Sequence, residues 1–344
     1  MLPSTQMEWI AAAGGAVLAV LGALSARYVA ARRRIERSWT TAVERKLDAI
    51  GEVDDLMVVP LVERLTPMQQ LLGEPGVSYL LRAGKTTLLF DTGLNRRSEI
   101  RPALVQNADA LHADLQRLDG VVISHVHPDH VGGSGSVRHR TFAFAAEPLE
   151  PKGLPAYVPA PMSHQRAEVV LTTGPRAIAP GIALLPPLPQ MMFWLGPVAE
   201  QAVVVNIRGF GLVLISGCGH PGIERMLAVS ELVLDVPIRA VYGGLHLPVH
   251  ALGTPLMLQS TIGNPHPPWR PIGERDVASA IAEISARGPR LVALSSHDSS
   301  PWTYGAFTHA FGERYRTLQV GDELTVSAAG VRWRPLHSTT TPTP

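Results

Sequence analysis

An apolar strand pattern, Val121-Val122-Ile123, runs straight into Ser124-His125-Val126-His127-Pro128-Asp129-His130-Val131-Gly132-Gly133. Three histidines and one aspartate therefore fall within six residues at the end of a strand. In an extended segment side chains alternate, so His125, His127 and Asp129 start toward one side. The turn that Pro128 helps to set directs His130 elsewhere. Imidazole and carboxylate are ligands for zinc, iron or manganese. One metal ion can take His125 and His127, and a second can take Asp129 and His130. Gly132 and Gly133 let the backbone pass close to such a site. A histidine-rich surface turn is the competing explanation. Four potential ligands at this spacing, directly after a hydrophobic strand, argue against it.

Composition excludes several other classes. In 344 residues, 30 Lys and Arg face 29 Asp and Glu. That near-balance, with no basic stripe in the body of the chain, argues against a nucleic-acid partner. One cysteine cannot make a disulfide framework and fits a reducing compartment. The 30 prolines and 31 glycines predict many turns and long loops. Mean hydropathy is +0.12, high for a soluble enzyme, and the excess is concentrated at the start.

Residues 9–26 form an 18-residue run without charge. As a helix this is ~27 Å long, just short of a ~30 Å bilayer core. The apolar stretch resumes after Arg27, which can snorkel, and extends to residue 31. Arg32, Arg33, Arg34 and Arg37 follow, whereas the preceding flank holds Glu8 and no Lys or Arg. We read residues 9–31 as a single membrane span with the catalytic body on the cytoplasmic side. An exported, periplasmic body is the alternative. A signal peptide needs a basic n-region, which residues 1–8 lack, and a core helix is the remaining option. The expected layout is a membrane anchor over 1–37 and a juxtamembrane connector over 38–53, helical at 40–50. A hydrolase domain at 54–336 and a disordered tail at 337–344 complete it.

From about residue 54 the pattern changes to short β-type runs, at 56–61, 77–81, 87–90, 121–123, 141–145, 169–171, 202–206, 212–215, 238–241 and 290–294. Late runs lie at 317–320, 323–326 and 331–333. Helical patterns occur at 99–118, 223–230, 274–287 and 304–311. This order is mixed α/β. Proline-rich stretches at 148–161, 180–189 and 248–271 read as loops.

The His-x-His-x-Asp-His segment after a strand resembles the metallo-β-lactamase superfamily, which implies an α/β fold, an αββα sandwich with metals at one edge. Here it would be preceded by an N-terminal transmembrane helix. Phe90-Asp91-Thr92-Gly93 looks like the superfamily's early strand-end Asp motif, making Asp91 a ligand-supporting or metal-proximal residue. Pro75-Gly-Val-Ser-Tyr-Leu-Leu81, Asn107, Ser216-Gly-Cys-Gly-His-Pro-Gly-Ile223, Gly243-Gly-Leu-His-Leu247 and Ser296-His-Asp298 fall in the order of the dihydropterin aminobenzene-phosphate synthase-like branch. The superfamily's usual third histidine is absent, and Glu200 and Gln201 stand near its place. His220, between a strand and a helix, is the replacement ligand, whereas His164 lies in a proline-rich loop. Cys218 occupies the slot of a bridging Asp, as a thiolate ligand or as a small buried side chain. His297 fits the last ligand of the second metal. Asp298 is either its supporting partner or a helix cap. His246, in a glycine-rich turn, either acts on substrate as proton donor or is structural. His250 and His266 read as surface residues. Trp269 and Met191-Met-Phe-Trp194 form either an apolar wall over the site or, as is commoner at this spacing, core packing or a membrane-surface contact.

These assignments give the metal ligands as His125, His127, Asp129, His130, His220 and His297, with Asp91 and Cys218 as further candidates. Asp129 and His246 are the catalytic candidates. The cofactors are two divalent ions, zinc first and manganese or iron as alternatives. Such a pair ~3.5–4 Å apart lowers the pKa of a bridging water toward ~7 for attack on a carbonyl or phosphoryl centre. Oxygen-reducing diiron relatives carry Glu where this chain has His127, which favours hydrolysis. The function expected is a membrane-anchored dinuclear hydrolase of a phosphoester, lactone or related small-molecule ester or amide. A metal-dependent binding or sensing module on the same fold is the alternative.

Overall fold

A computed structural model describes residues 4–38 and 46–336. Two sheets stack face to face. The first contains β1 (Asp55–Val62), β2 (Ser78–Ala83), β3 (Thr86–Phe90), β4 (Gly120–Val122), β5 (Pro155–Val158) and β6 (Glu168–Leu171). The second contains β7 (Arg176–Ala179), β8 (Ile182–Leu184), β11 (Val203–Ile207), β12 (Gly211–Ser216), β13 (Ile238–Gly243), β14 (Leu291–Leu294) and β15 (Tyr315–Thr317). A ribbon of β9 (Leu188–Met192) and β10 (Gly196–Glu200) leaves the second sheet. The chain finishes in the first sheet with β16 (Glu323–Ser327) and β17 (Gly330–Arg334) beside β1. β1, β2 and β3 pair antiparallel, whereas β3 to β6 and β12 to β15 pair parallel. The ends of the parallel strands converge at one edge, where ligands collect in α/β sheets.

Alternation along the strands builds the layers. Leu56 and Val58 of β1, Tyr79 and Leu81 of β2, and Val213 and Ile215 of β12 turn inward and meet between the sheets. Leu61, Leu80 and Leu89 turn outward onto α2 (Ala103–Ala110) and the segment carrying α3 (Ser134–His139). Leu212 and Leu214 turn outward onto α4 (Ile223–Val233), α6 (Glu274–Ala286) and α7 (Pro301–Phe311). The result is an αββα sandwich, as the resemblance implies.

The N-terminal run is helical, within α1 (Ser4–Ser38). Ala11–Arg37 is long and apolar enough to cross a membrane by length and composition, and only 6% of its most apolar window is buried. A core helix would bury most of that window. Farther along, Leu24, Tyr28, Ala31 and Ile35 share one face and pack on Met191 and Phe193. The Tyr28 hydroxyl donates to the Pro265 carbonyl at 2.9 Å.

Several local expectations differ. Residues 46–50 of the connector are not helical; Leu47 N–H donates to Val233, and Ile50 accepts from Gly181, so this stretch belongs to the body. Residues 39–45 and the 337–344 tail lie outside the described residues. The helix expected at 99–118 is only α2, because Pro102 opens it and His112, at φ 53°, turns the chain away. Residues 141–145 alternate like a strand but form an irregular segment that buries Phe142 and Phe144. β15 lies two residues before the run expected at 317–320. The stretches read as loops contain β5, β8 and α5 (Met257–Thr261).

Candidate metal centre

Asp91 ends β3 in the left-handed region, at φ 60°, a conformation Asp adopts more readily than most residues. There it organises the neighbouring strand end. Ser124 N–H and Oγ donate to its two carboxylate oxygens at 2.6 Å each, and His130 Nδ1 lies 2.7 Å from Oδ2. His130 Nδ1–H therefore points at the carboxylate, which fixes the ring so that Nε2 points inward toward the other donors. Burial lowers the His130 pKa, but Asp129 and Asp91 outweigh it and lift the group to about 9. A cation at Nε2 competes with that proton. Asp91→Asn is expected to weaken metal affinity about 10- to 100-fold with the fold retained, measured by competition against a chelator.

The strand-end loops of the second sheet supply the other half. After β12, Gly217–His220 wraps around the buried carboxylate of Glu200. Oε1 accepts from the N–H groups of Gly217, Cys218 and Gly219 at 3.1, 3.0 and 2.9 Å, and Oε2 accepts from His220 at 2.8 Å. After β13, Gly243 sits at φ 111°, and a Cβ there would strike the Ser216 carbonyl. A Cβ on Gly244 would meet the Gly217 carbonyl, so glycine lets the two loops close on each other. His246 follows at φ 51°, its N–H donating to Asp298 Oδ2 at 2.7 Å. After β14, Glu63 from the end of β1 holds the third loop. It accepts from Ser295 Oγ at 2.5 Å, and from Ser296 N–H at 2.9 Å and Oγ at 2.8 Å. Since Ser295 donates to Glu63, it accepts from His297 Nδ1 at 2.6 Å, leaving Nε2 of His297 directed inward.

The donors meet in three groups. His125, His127 and His220 form one, and Asp129, His130, Cys218 and His297 form another. Cys218, His220 and His246 link them; within each group the ligand atoms lie within 4.8 Å of one another. His127 Nδ1 is 3.0 Å from His125 Nε2 and 3.2 Å from His220 Nε2. The three rings stand nearly perpendicular in pairs, at 79–85°. Cys218 Sγ lies 3.1 Å from both His130 Nε2 and His297 Nε2. Burial pushes His127 down to about 4 and lowers His125, His220 and His297 well below the usual range. Neutral imidazoles crowded nitrogen to nitrogen suit a shared cation, and His220 Nδ1 and His246 Nδ1 are buried without a partner. Burial raises the Cys218 thiol well above its ordinary value, with nearby Asp298 and Asp129 adding to the shift. A thiolate there depends on a cation.

The structure thus brings together every ligand candidate read from the sequence. It places Asp91 directly behind His130 and Cys218 inside the second group. Ser300, not Asp298, caps α7, accepting from Thr303 N–H. His164 is remote, stacked on Phe142, and His250 is exposed and paired with Glu274. Sequence reasoning missed Glu63 and the role of Glu200. A carboxylate that directly ends an apolar strand run was the available signal for Glu63.

A two-sheet sandwich with a histidine-rich edge defines an αββα protein with residues that could hold a metal. Residues 71–182 match the profile of the Metallo-beta-lactamase superfamily. Over that third of the chain the sequence is similar to the superfamily, and the αββα fold agrees with it. A 7,8-dihydropterin-6-methyl-4-(beta-D-ribofuranosyl)-aminobenzene-5'-phosphate synthase from Methanocaldococcus jannaschii is 24% identical over 239 residues, 58% of this chain and 80% of the relative. The solved structure of Tm1679, a metal-dependent hydrolase of the β-lactamase superfamily, aligns with TM-score 0.55 and 20% identity, covering 79% of this chain and 99% of that one. YhfI from Bacillus subtilis, a metallo-β-lactamase fold protein, aligns with TM-score 0.50 and 14% identity, over 79% and 100%. At these identities the structural likeness concerns the fold.

Proposed function

We propose that the chain is a membrane-anchored hydrolase that holds two divalent cations and cleaves a phosphoester, lactone or related ester. The observation that carries this is the pair of interlocked donor groups, joined through Cys218 and His220. Imidazole, thiolate and carboxylate donors suit zinc first. Bound there, divalent cations supply Lewis acidity and an activated water.

The chain's own groups do the rest. His125, His127 and His220 hold one position, and Asp129, His130, Cys218 and His297 the other. The Asp129 carboxylate, partly exposed to the pocket, orients the attacking water and accepts its proton. His246 Nε2–H donates to the Gln259 carbonyl at 3.2 Å, so Nδ1 presents a lone pair. Burial pushes this group down to about 4. It therefore takes over the water's proton from Asp129 and gives it to the leaving oxygen as the ester bond breaks. Leu195, Leu258 and Ile262 wall the pocket and exclude bulk water.

The name of the M. jannaschii relative contains a 5'-phosphate, which puts phosphate-bearing substrates first in a screen. α1 supports an anchor over residues 9–31, and Arg27, Arg32–Arg34 and Arg37 support a cytoplasmic body. The anchor at 1–37, connector at 38–53, domain at 54–336 and tail at 337–344 remain the proposed layout.

The full chain is expected to pellet with membranes, to carry about two metal ions by elemental analysis, and to turn over a phosphodiester, lactone or thioester. Turnover by a metal-free preparation would sink the proposal. Metal occupancy without turnover across the screen would assign the fold to binding.

A further inference from the structure

The candidate metal centre opens into a cavity of about 300 Å3. Its outer wall is built by the apolar side chains of Pro75, Leu94, Leu195, Leu258 and Ile262, with the exposed Arg96 beside them. A second cavity of about 780 Å3 also uses Ile262, and it includes Trp194, the neighbour of Leu195. Val249, Leu252, Pro268 and Ile272 line its length. Its polar side chains are already engaged. His250 Nε2 lies 2.9 Å from Glu274, and the hydroxyls of Ser260 and Thr261 donate to the Met257 carbonyl. The two cavities adjoin at Ile262, so the second extends the apolar course that starts beside His127, Asp129 and His246.

The rim of this course is exposed and hydrophobic. Leu252 is 78% exposed and Trp269 65%, with Trp194, Leu195, Leu258 and Ile262 also exposed. Apolar surface of this kind marks a binding site. Its position is informative. Trp194 and Trp269 both set their rings edge-on to Phe193, with centroids 4.9 and 5.6 Å apart. Phe193 packs on Tyr28 at 5.5 Å, just past the exposed part of α1. The rim therefore lies beside the place where the apolar helix leaves the body, and tryptophans favour the membrane–water interface.

We propose that this groove holds the hydrocarbon chain of the substrate. The substrate class is then a membrane-resident, single-chain amphiphile whose hydrolysable polar head reaches the donor cluster. The inference rests on the hydrolase proposed above and narrows its substrate.

The test uses the full chain in phosphatidylcholine nanodiscs, loaded with zinc and titrated calorimetrically with n-alkyl phosphates of increasing length from butyl to decyl. Wild type is expected to bind more tightly by about fourfold per added methylene, the equivalent of about 0.8 kcal/mol, until the groove is full. Hexadecyl phosphate doped into the disc should compete. Ile262→Arg and, separately, Leu258→Arg should abolish the saturable, one-per-chain binding event, leaving only the unsaturable partition that empty discs show. Both side chains are exposed, so metal content and melting temperature should stay unchanged. Equal length dependence in wild type and both variants overturns the groove. So does a dimer, seen by mass photometry, that the variants dissociate without changing the alkyl series. Turnover of p-nitrophenyl acetate and metal content are read in parallel. In wild type, absence of length dependence with both intact removes only the groove. Intact length dependence without turnover removes the hydrolase and keeps the groove.

Discussion

Replacing His127 by alanine is expected to abolish hydrolysis while the protein stays folded. His127 sits on the loop after β4, and its ring leans on His125 and His220 rather than on the sandwich core. Its Nδ1 contacts only the nitrogens of those two rings. The variant therefore removes little packing, and without metal its stability should fall within about 1 kcal/mol of metal-free wild type. The chemistry has no such margin. Two imidazoles remain where three converged, so one cation position loses a ligand. The loss of affinity should exceed the about 10- to 100-fold typical of losing a supporting partner. Elemental analysis should fall by one metal per chain, with kcat/KM at background and an unchanged circular dichroism spectrum. Wild-type turnover in this variant would place the reaction elsewhere.

Glu200→Ala should act on stability and metal together. It strands four backbone N–H groups around a buried, fully enclosed space. Each unsatisfied donor costs about 1–3 kcal/mol, and loss of one partner from a buried charged network costs about 3–5 kcal/mol overall. Native stability is only about 5–15 kcal/mol, so a fall in Tm on the order of 10 °C is expected. Burial already raises the Glu200 carboxyl, with the amide N–H groups of Gly219, His220 and Cys218 opposing it. Glu200→Gln keeps the shape and one acceptor oxygen but turns an NH2 group toward N–H donors. It should fall between wild type and alanine in Tm by calorimetry, and both variants should lose metal. A wild-type melting profile for Glu200→Ala would show that the loop of Cys218 and His220 holds its shape without the carboxylate.

The sequence made the ligands legible because metal chemistry restricts residue type and strand ends restrict position. His125 to His130 follow an apolar strand, and His220, His246 and His297 each follow another. The strands with strong apolar runs, such as β11, β12 and β14, were equally readable. β7 and β10 were not, because they are short, partly exposed and rich in Pro, Gly or Arg, and their pairing partners define them. The segment 141–145 misled because Phe142 and Phe144 are buried by a loop, with Phe144 N–H donating to Glu150. The supporting carboxylates were hidden for a different reason. Glu200 and Glu63 meet their partners 17–20 and 232–233 residues away, and no local spacing encodes that.

Where the ligands come from has a thermodynamic consequence. His125, His127, Asp129 and His130 belong to the first sheet; Cys218, His220, His246 and His297 belong to the second. Glu63 crosses in the same sense, from β1 to the loop after β14. A cation held by both halves is a rivet through the sandwich, so releasing it and parting the sheets are coupled. Each tenfold rise in free metal above the dissociation constant then adds about 1.4 kcal/mol to the folded state. With the proposed cations bound, the melting temperature becomes a gauge of the metal activity around the protein.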